Sequence, residues 1–132
     1  MKRKTNKPTW DIHYVFDEDW ASCHTHGLNE YGSLELEINL PIQQELAGYI
    51  LNEIGFMIAN KEIELKDGDI IEEVTNVGLV VFETEGVHSG SHEGKKNVFR
   101  IVIPDEKMKF PWDEDCDITY KKQIELNKKE LD

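Results

Sequence analysis

Cysteine is nearly missing from this chain: its 132 residues include only Cys23 and Cys116. Two thiols cannot make a disulfide framework, so the fold must rest on an apolar core, and both thiols are read as reduced and partly buried. Long apolar runs are missing too; none approaches the roughly 18 residues a membrane span needs. The start is basic (Lys2, Arg3, Lys4, Lys7), but no apolar stretch follows, so it is not a secretory signal and a cytoplasmic protein is expected. Positive charge is short: 15 Lys or Arg face 27 Asp or Glu, a net charge of −12. A surface of that sign repels phosphate backbones, which excludes general nucleic-acid binding. It suits basic protein partners, cations or plain solubility. A phosphate-cradling glycine loop is also lacking, because Gly86, Gly90 and Gly94 have no strand-to-helix context.

What is present reads as one domain, residues 10–132, after a flexible basic arm over residues 1–9. Hydrophobic residues make up 39% and fall in patterned blocks, which argues for a folded core. Trp10, Ile12, Tyr14 and Phe16 alternate with Asp11, His13 and Val15, predicting a strand. An acidic turn, Asp17 to Asp19, leads to a second strand over Trp20–His26. Leu34, Leu36 and Ile38 alternate with Glu35, Glu37 and Asn39, predicting a third strand with a wet glutamate face.

Pro41 suits a first helical turn. Ile42, Leu46, Ile50, Ile54 and Met57 then recur at helical spacing, predicting one long amphipathic helix over 41–59. Gly48 and Gly55 would let it approach the sheet closely. Further strands are read at 70–74, 78–84 and 97–103, with a polar loop at 85–96. The tail from Asp113 carries acids first and lysines last, as a helix dipole favours. Three strands before the helix and three after it give an α+β fold: a mostly antiparallel sheet of five or six strands, one long helix packed on it and a C-terminal helix.

Two groups of side chains carry the candidate chemistry. Ser22-Cys23-His24-Thr25-His26-Gly27-Leu28 packs a thiol and two imidazoles into four residues. On a strand, His24 and His26 share one face, and Cys23 and Thr25 the other. As a nucleophile, Cys23 would need a nearby imidazole, which His13 supplies if the first two strands pair. As a metal site, His24 and His26 with His88 and His92 are candidate ligands for zinc or a similar divalent ion. Cys23, Cys116 and Asp117 are further acceptable ligand types, although no familiar zinc spacing occurs. Glu35 with Glu37, and Glu72 with Glu73, read as solvated surface. Arg100 lies inside an apolar strand and needs an acidic partner, with Asp105 or Asp113 as candidates, or else an anionic ligand. Trp112, beside Phe110 and Pro111, packs its loop or walls a pocket.

Thr25-x-Gly27-Leu28, Tyr31-Gly32, Leu34-Glu35-Leu36 and Leu40-Pro41, followed late by Pro104-Asp105 and Phe110-Pro111-Trp112-Asp113, resemble the bacterial domain-of-unknown-function family numbered 4262. The resemblance covers most of residues 20–124. His24 and His26 stand where many members carry other residues. The resemblance implies a small bacterial or phage-type cytosolic domain and no particular activity.

The leading expectation is a binding module rather than an enzyme. Its site would be His24, Thr25, His26, Arg100 and Trp112, brought together where two strands neighbour each other. The ligand would be a small polar or anionic molecule, or a basic protein partner, as in immunity or counter-defence roles. One alternative is a metal- or thiol-dependent enzyme using Cys23, His24 and His26. Another is a structural domain that assembles as a homo-oligomer.

Overall fold

The computed structural model describes residues 9–17, 20–86 and 97–124. The fold is α+β, as the sequence pattern predicts. Six strands, β1 (Asp11–Asp17), β2 (Trp20–His26), β3 (Leu36–Ile38), β4 (Ile70–Ile71), β5 (Leu79–Glu85) and β6 (Asn97–Val102), form one sheet. Their order is β1-β2-β3-β6-β5-β4. Among the described residues only the β3–β6 pair is parallel, and the long helix α1 (Gln44–Ala59) lies in the connection between those strands. The strands over 22–26 and 97–103 are therefore not direct neighbours; β3 lies between them.

Alternation sorts the strand residues onto two faces. Cys23, Leu36, Ile38, Leu79, Val81, Phe99 and Ile101 turn to the helical face and form the core with α1. The helix begins three residues later than Pro41 suggested. Leu40 is buried, the Ile42 N–H bonds back to the Leu40 carbonyl, and Gln43 is still extended at ψ 138°, so the first turn starts at Gln44. The buried stripe shifts with it. Ala47, Ile50, Leu51, Ile54 and Ile58 join the core, while Leu46, expected there, is 45% exposed.

Small residues set how closely helix and sheet approach. A Cβ on Gly55 would sit 2.6 Å from Trp10 Cζ2, and one on Gly48 would sit 2.7 Å from the Tyr14 hydroxyl. Trp10 packs under α1 with its indole N–H on Asn52 Oδ1 at 2.9 Å. Tyr14 donates to the Gln44 carbonyl at 2.8 Å.

The tail departs from the expected helix over its acids. Residues 113–116 lie in turns and bends, and α2 is a single turn at Ile118–Lys121. Asp117 caps it, its carboxylate accepting from the Thr119 N–H. Gln123 is fully buried; its side chain bonds both the N–H and the carbonyl of Ile103 at 2.8 and 2.7 Å, which continues the hydrogen bonding just past β6. No helix among the described residues is long and apolar enough to cross a membrane.

Candidate functional site

The second face of the sheet is not the wet surface its glutamates suggested. Cross-strand register aligns His13, His24, Glu37, Arg100 and Phe82 in one row across five strands. Glu37 and Arg100 are both buried in it. The guanidinium meets Glu37 Oε1 through Nε at 2.9 Å and through a terminal nitrogen at 2.7 Å. Asn39 donates to the same oxygen at 3.1 Å, and Ser22 donates to Asn39 at 2.7 Å. Arg100 also donates to the Glu85 carbonyl at 3.2 Å. The acidic partner of Arg100 is thus Glu37, not Asp105 or Asp113.

Each expected site residue among the described ones has a definite place. His24 is half-buried and His26 exposed on the second face, on the side that alternation predicted. His13 joins them, with its ring centroid 5.2 Å from that of His24 and 5.5 Å from that of His26. The His13 and His26 rings lie at 28° to each other, so they stack rather than aim nitrogens at one point. Among the described residues, no three His, Cys, Asp or Glu side chains are grouped so as to hold a metal ion. His88 and His92 lie outside the described residues, as do residues 87–96 of the loop expected over 85–96; Glu85 instead ends β5. Trp112 packs edge-on to Phe82, the neighbour of Arg100 in the row, at 5.6 Å, and stacks on Phe110 at 4.8 Å.

Thr25 points away from the histidines and is fully buried. Its hydroxyl donates to Glu35 Oε1 at 2.8 Å and accepts from the Leu36 N–H at 2.9 Å. Cys23 lies on the helical face too, and its cross-strand neighbour is Tyr14; His13 pairs with His24 instead. Burial pushes the Cys23 thiol up to about 12, which keeps it protonated at neutral pH and makes it a poor nucleophile. Burial also raises the Cys116 thiol.

Two carboxylates, Glu35 and Asp105, are each the centre of a hydrogen-bonded hub. The Glu35 carboxylate accepts from Thr25 and from the N–H groups of Gly27, Leu28 and Asn29, closing the start of the short 3-10 turn at Leu28–Tyr31. Gly27 there has φ 125°, a conformation that favours glycine. The Asp105 carboxylate accepts from the N–H groups of Lys107, Lys109 and Asp117 at 2.9 Å each. These bonds, led by the one from Asp117, hold Asp105 below the ordinary carboxylate range. Glu35 and Asp105 organise loops, so neither is set up for acid–base work. A hollow of about 250 Å³ beside Asp105, bounded by Glu106, Lys107 and Tyr120, is polar and open.

A larger cleft opens elsewhere, on the helical side at one end of the sheet. It measures about 680 Å³, within the usual range for ligand sites. Its floor is apolar: Tyr31, Leu34, Ile58, Ile63, Leu65 and Phe99. Among the described residues its polar lining carries three carboxylates, Glu62, Glu64 and Glu83, and one cation, Lys61. Glu83 reaches it because it pairs across the sheet with Phe99 and so shares the helical face; its carboxylate also accepts from Asn97 at 3.1 Å. The last turn of α1 adjoins the cleft through Ile58 and holds no basic residue, so the negative end of the helix dipole adds to the field of the glutamates.

Sequence reading missed this cleft. Its residues come from the end of the 3-10 turn and the segment before β3, from Ile58 and residues 61–65 after α1, and from β5 and β6, which only the tertiary fold brings together. The one sequence signal was the excess of acid itself. No family model matches the chain, and neither does any curated protein or solved structure.

Proposed function

We propose that this chain is a binding module for a basic protein partner, and that the partner docks in the cleft between the end of α1 and β5–β6. The observation that carries this reading is the pairing of an apolar floor with Glu62, Glu64 and Glu83, on a chain of net charge −12. An apolar floor supplies affinity by burial, and the carboxylates select and steer a cationic segment. The other readings have less support. A small anionic ligand needs a cation, and the Arg100 guanidinium is committed to Glu37. A thiol enzyme needs a thiolate, and Cys23 is protonated. Neutralising a basic partner, as an immunity protein does, fits this surface. Membership of the domain-of-unknown-function family numbered 4262 belongs to the same proposal and rests on the two sequence motif blocks alone.

Calorimetry with an acetylated, amidated dodecapeptide of alternating lysine and glycine tests the reading, with the alternating glutamate–glycine peptide as control. The lysine peptide should bind and the glutamate peptide should not. Glu64→Lys should weaken binding about tenfold, equivalent to ~1.4 kcal/mol. Equal affinity of the variant and the parent would overturn the docking site.

A further inference from the structure

We infer that the outer edge of β1 takes up an extended segment of a partner protein, apolar along its middle and basic at its ends, as an added strand of the sheet. The inference is independent of the docking cleft. Among the described residues β1 is the last strand on its side of the sheet. An edge strand presents backbone N–H and C=O groups that template a further strand unless it is short, bulged, or guarded by charge or proline. The opposite edge is blunted in that way, because β4 is only two residues long. β1 is not. It runs for seven residues in unbroken register with β2, from Asp11 opposite His26 to Asp17 opposite Trp20, without a bulge. It holds no lysine or proline, and Ile12 to Phe16 include no acid.

A second observation lies on the helical face of that edge. Ile12 and Tyr14 pack against the core and remain half-buried. Tyr49 stands about two turns before Phe56 on the same side of α1. The Phe56 ring lies 5.3 Å from that of Trp10, the residue just before β1, and Gly48 faces the Tyr14 hydroxyl. Tyr49 therefore flanks β1, yet it is 52% exposed. An added strand would run beneath it and cover Tyr49, Ile12 and Tyr14 together, so apolar burial would add to the backbone bonds. Asp11 and Asp17 are the two ends of β1, and cross-strand pairing there favours a segment with lysine or arginine at each end. A second copy of this chain fits less well. Antiparallel pairing about Tyr14 would set Asp11 of each copy against Asp17 of the other, and each copy carries a net charge of −12.

The probe is the acetylated, amidated peptide Lys-Val-Thr-Val-Thr-Val-Lys, which reads the same in either direction and puts its valines on one face. Titrated into the full chain at pH 7 and followed by amide chemical shifts, it should bind and slow hydrogen exchange at alternate amides of β1. Methylating the backbone nitrogens of alternate peptide residues distinguishes strand addition from other contact. One alternate set should abolish binding, and the other should leave it intact. With glutamate in place of both lysines the peptide should bind about tenfold more weakly. Tyr49→Ala, at an exposed position, should weaken binding several-fold while the thermal midpoint stays unchanged. Equal binding of the two methylated peptides, or no binding of the parent peptide, would overturn the inference. Equal affinity of the lysine-ended and glutamate-ended peptides would overturn the basic partner. Light scattering that shows a dimer, with β1 amides already protected in the absence of peptide, would give the edge to a second copy and overturn the inference too. The lysine–glycine dodecapeptide lacks strand-forming residues, so the cleft and the β1 edge succeed or fail separately.

Discussion

Glu37 and Arg100 are direct neighbours on the two parallel strands of the sheet, and their side chains meet at 2.7 Å while only 2% and 4% exposed. Removing one member leaves the other charged and buried, which costs about 3–5 kcal/mol. Glu37→Gln should therefore lower unfolding free energy by about that amount in urea denaturation. The double variant Glu37→Leu, Arg100→Met should recover most of the loss, because apolar residues of similar size often replace a buried ion pair at little cost. A single variant that loses less than about 1 kcal/mol would show that the pair is open to water.

Gly55 faces the Trp10 indole too closely for any side chain. Ala ordinarily gains about 1 kcal/mol over Gly inside a helix. Here the added methyl would sit 2.6 Å from Trp10 Cζ2, so the ring or the helix must move. Gly55→Ala should destabilise the fold by about 1–3 kcal/mol, read as a lower thermal midpoint. A raised midpoint would mean that helix and sheet are not in close contact there.

Cys23 links stability to alkaline pH. In the unfolded chain its thiol ionises near the ordinary value of 9.0, whereas in the fold it does so at about 12. The folded state thus favours the neutral form. That contribution is complete below pH 9, and as pH climbs from about 9 to about 12 the unfolded chain ionises first and stability falls. Cys23→Ala should flatten this decline in a series of denaturant melts. The thiol should also react slowly with iodoacetamide at neutral pH in the native protein; reaction at the rate of a free thiol would contradict its burial.

Asp105 links stability to acid. Its carboxyl is held below the ordinary value by N–H groups from Asp117, Lys109 and Lys107. Its contribution is present above the unfolded carboxyl range and fades as pH drops through the lowered folded value. Asp105→Asn should weaken the acid dependence of the thermal midpoint and loosen residues 105–117 to hydrogen exchange. An unchanged acid profile would contradict the hub.

Much of the architecture was legible. Alternation in Trp10–Phe16 and in Trp20–His26 located two strands, and it also placed His24 and Cys23 on opposite faces. The glutamates of the third strand misled for a physical reason. Alternation reports which residues share a face, not whether that face is wet, and the partner that keeps Glu37 buried lies 63 positions along the chain. Pro41 misled because a proline that suits a first helical turn equally suits the turn before a helix. Thr25 was legible as a neighbour of the histidines in sequence, but its hydroxyl is committed to Glu35 and Leu36 on the other face. The cleft was illegible because tertiary structure alone assembles its floor.

Amide chemical shifts of the labelled protein, followed while the lysine–glycine dodecapeptide is added, give the sharpest check on the docking cleft. Changes should concentrate at residues 31–34, 58–65, 83 and 99, with His13, His24 and His26 unmoved. Changes centred on those histidines, or spread evenly over the acidic surface, would be incompatible with docking there.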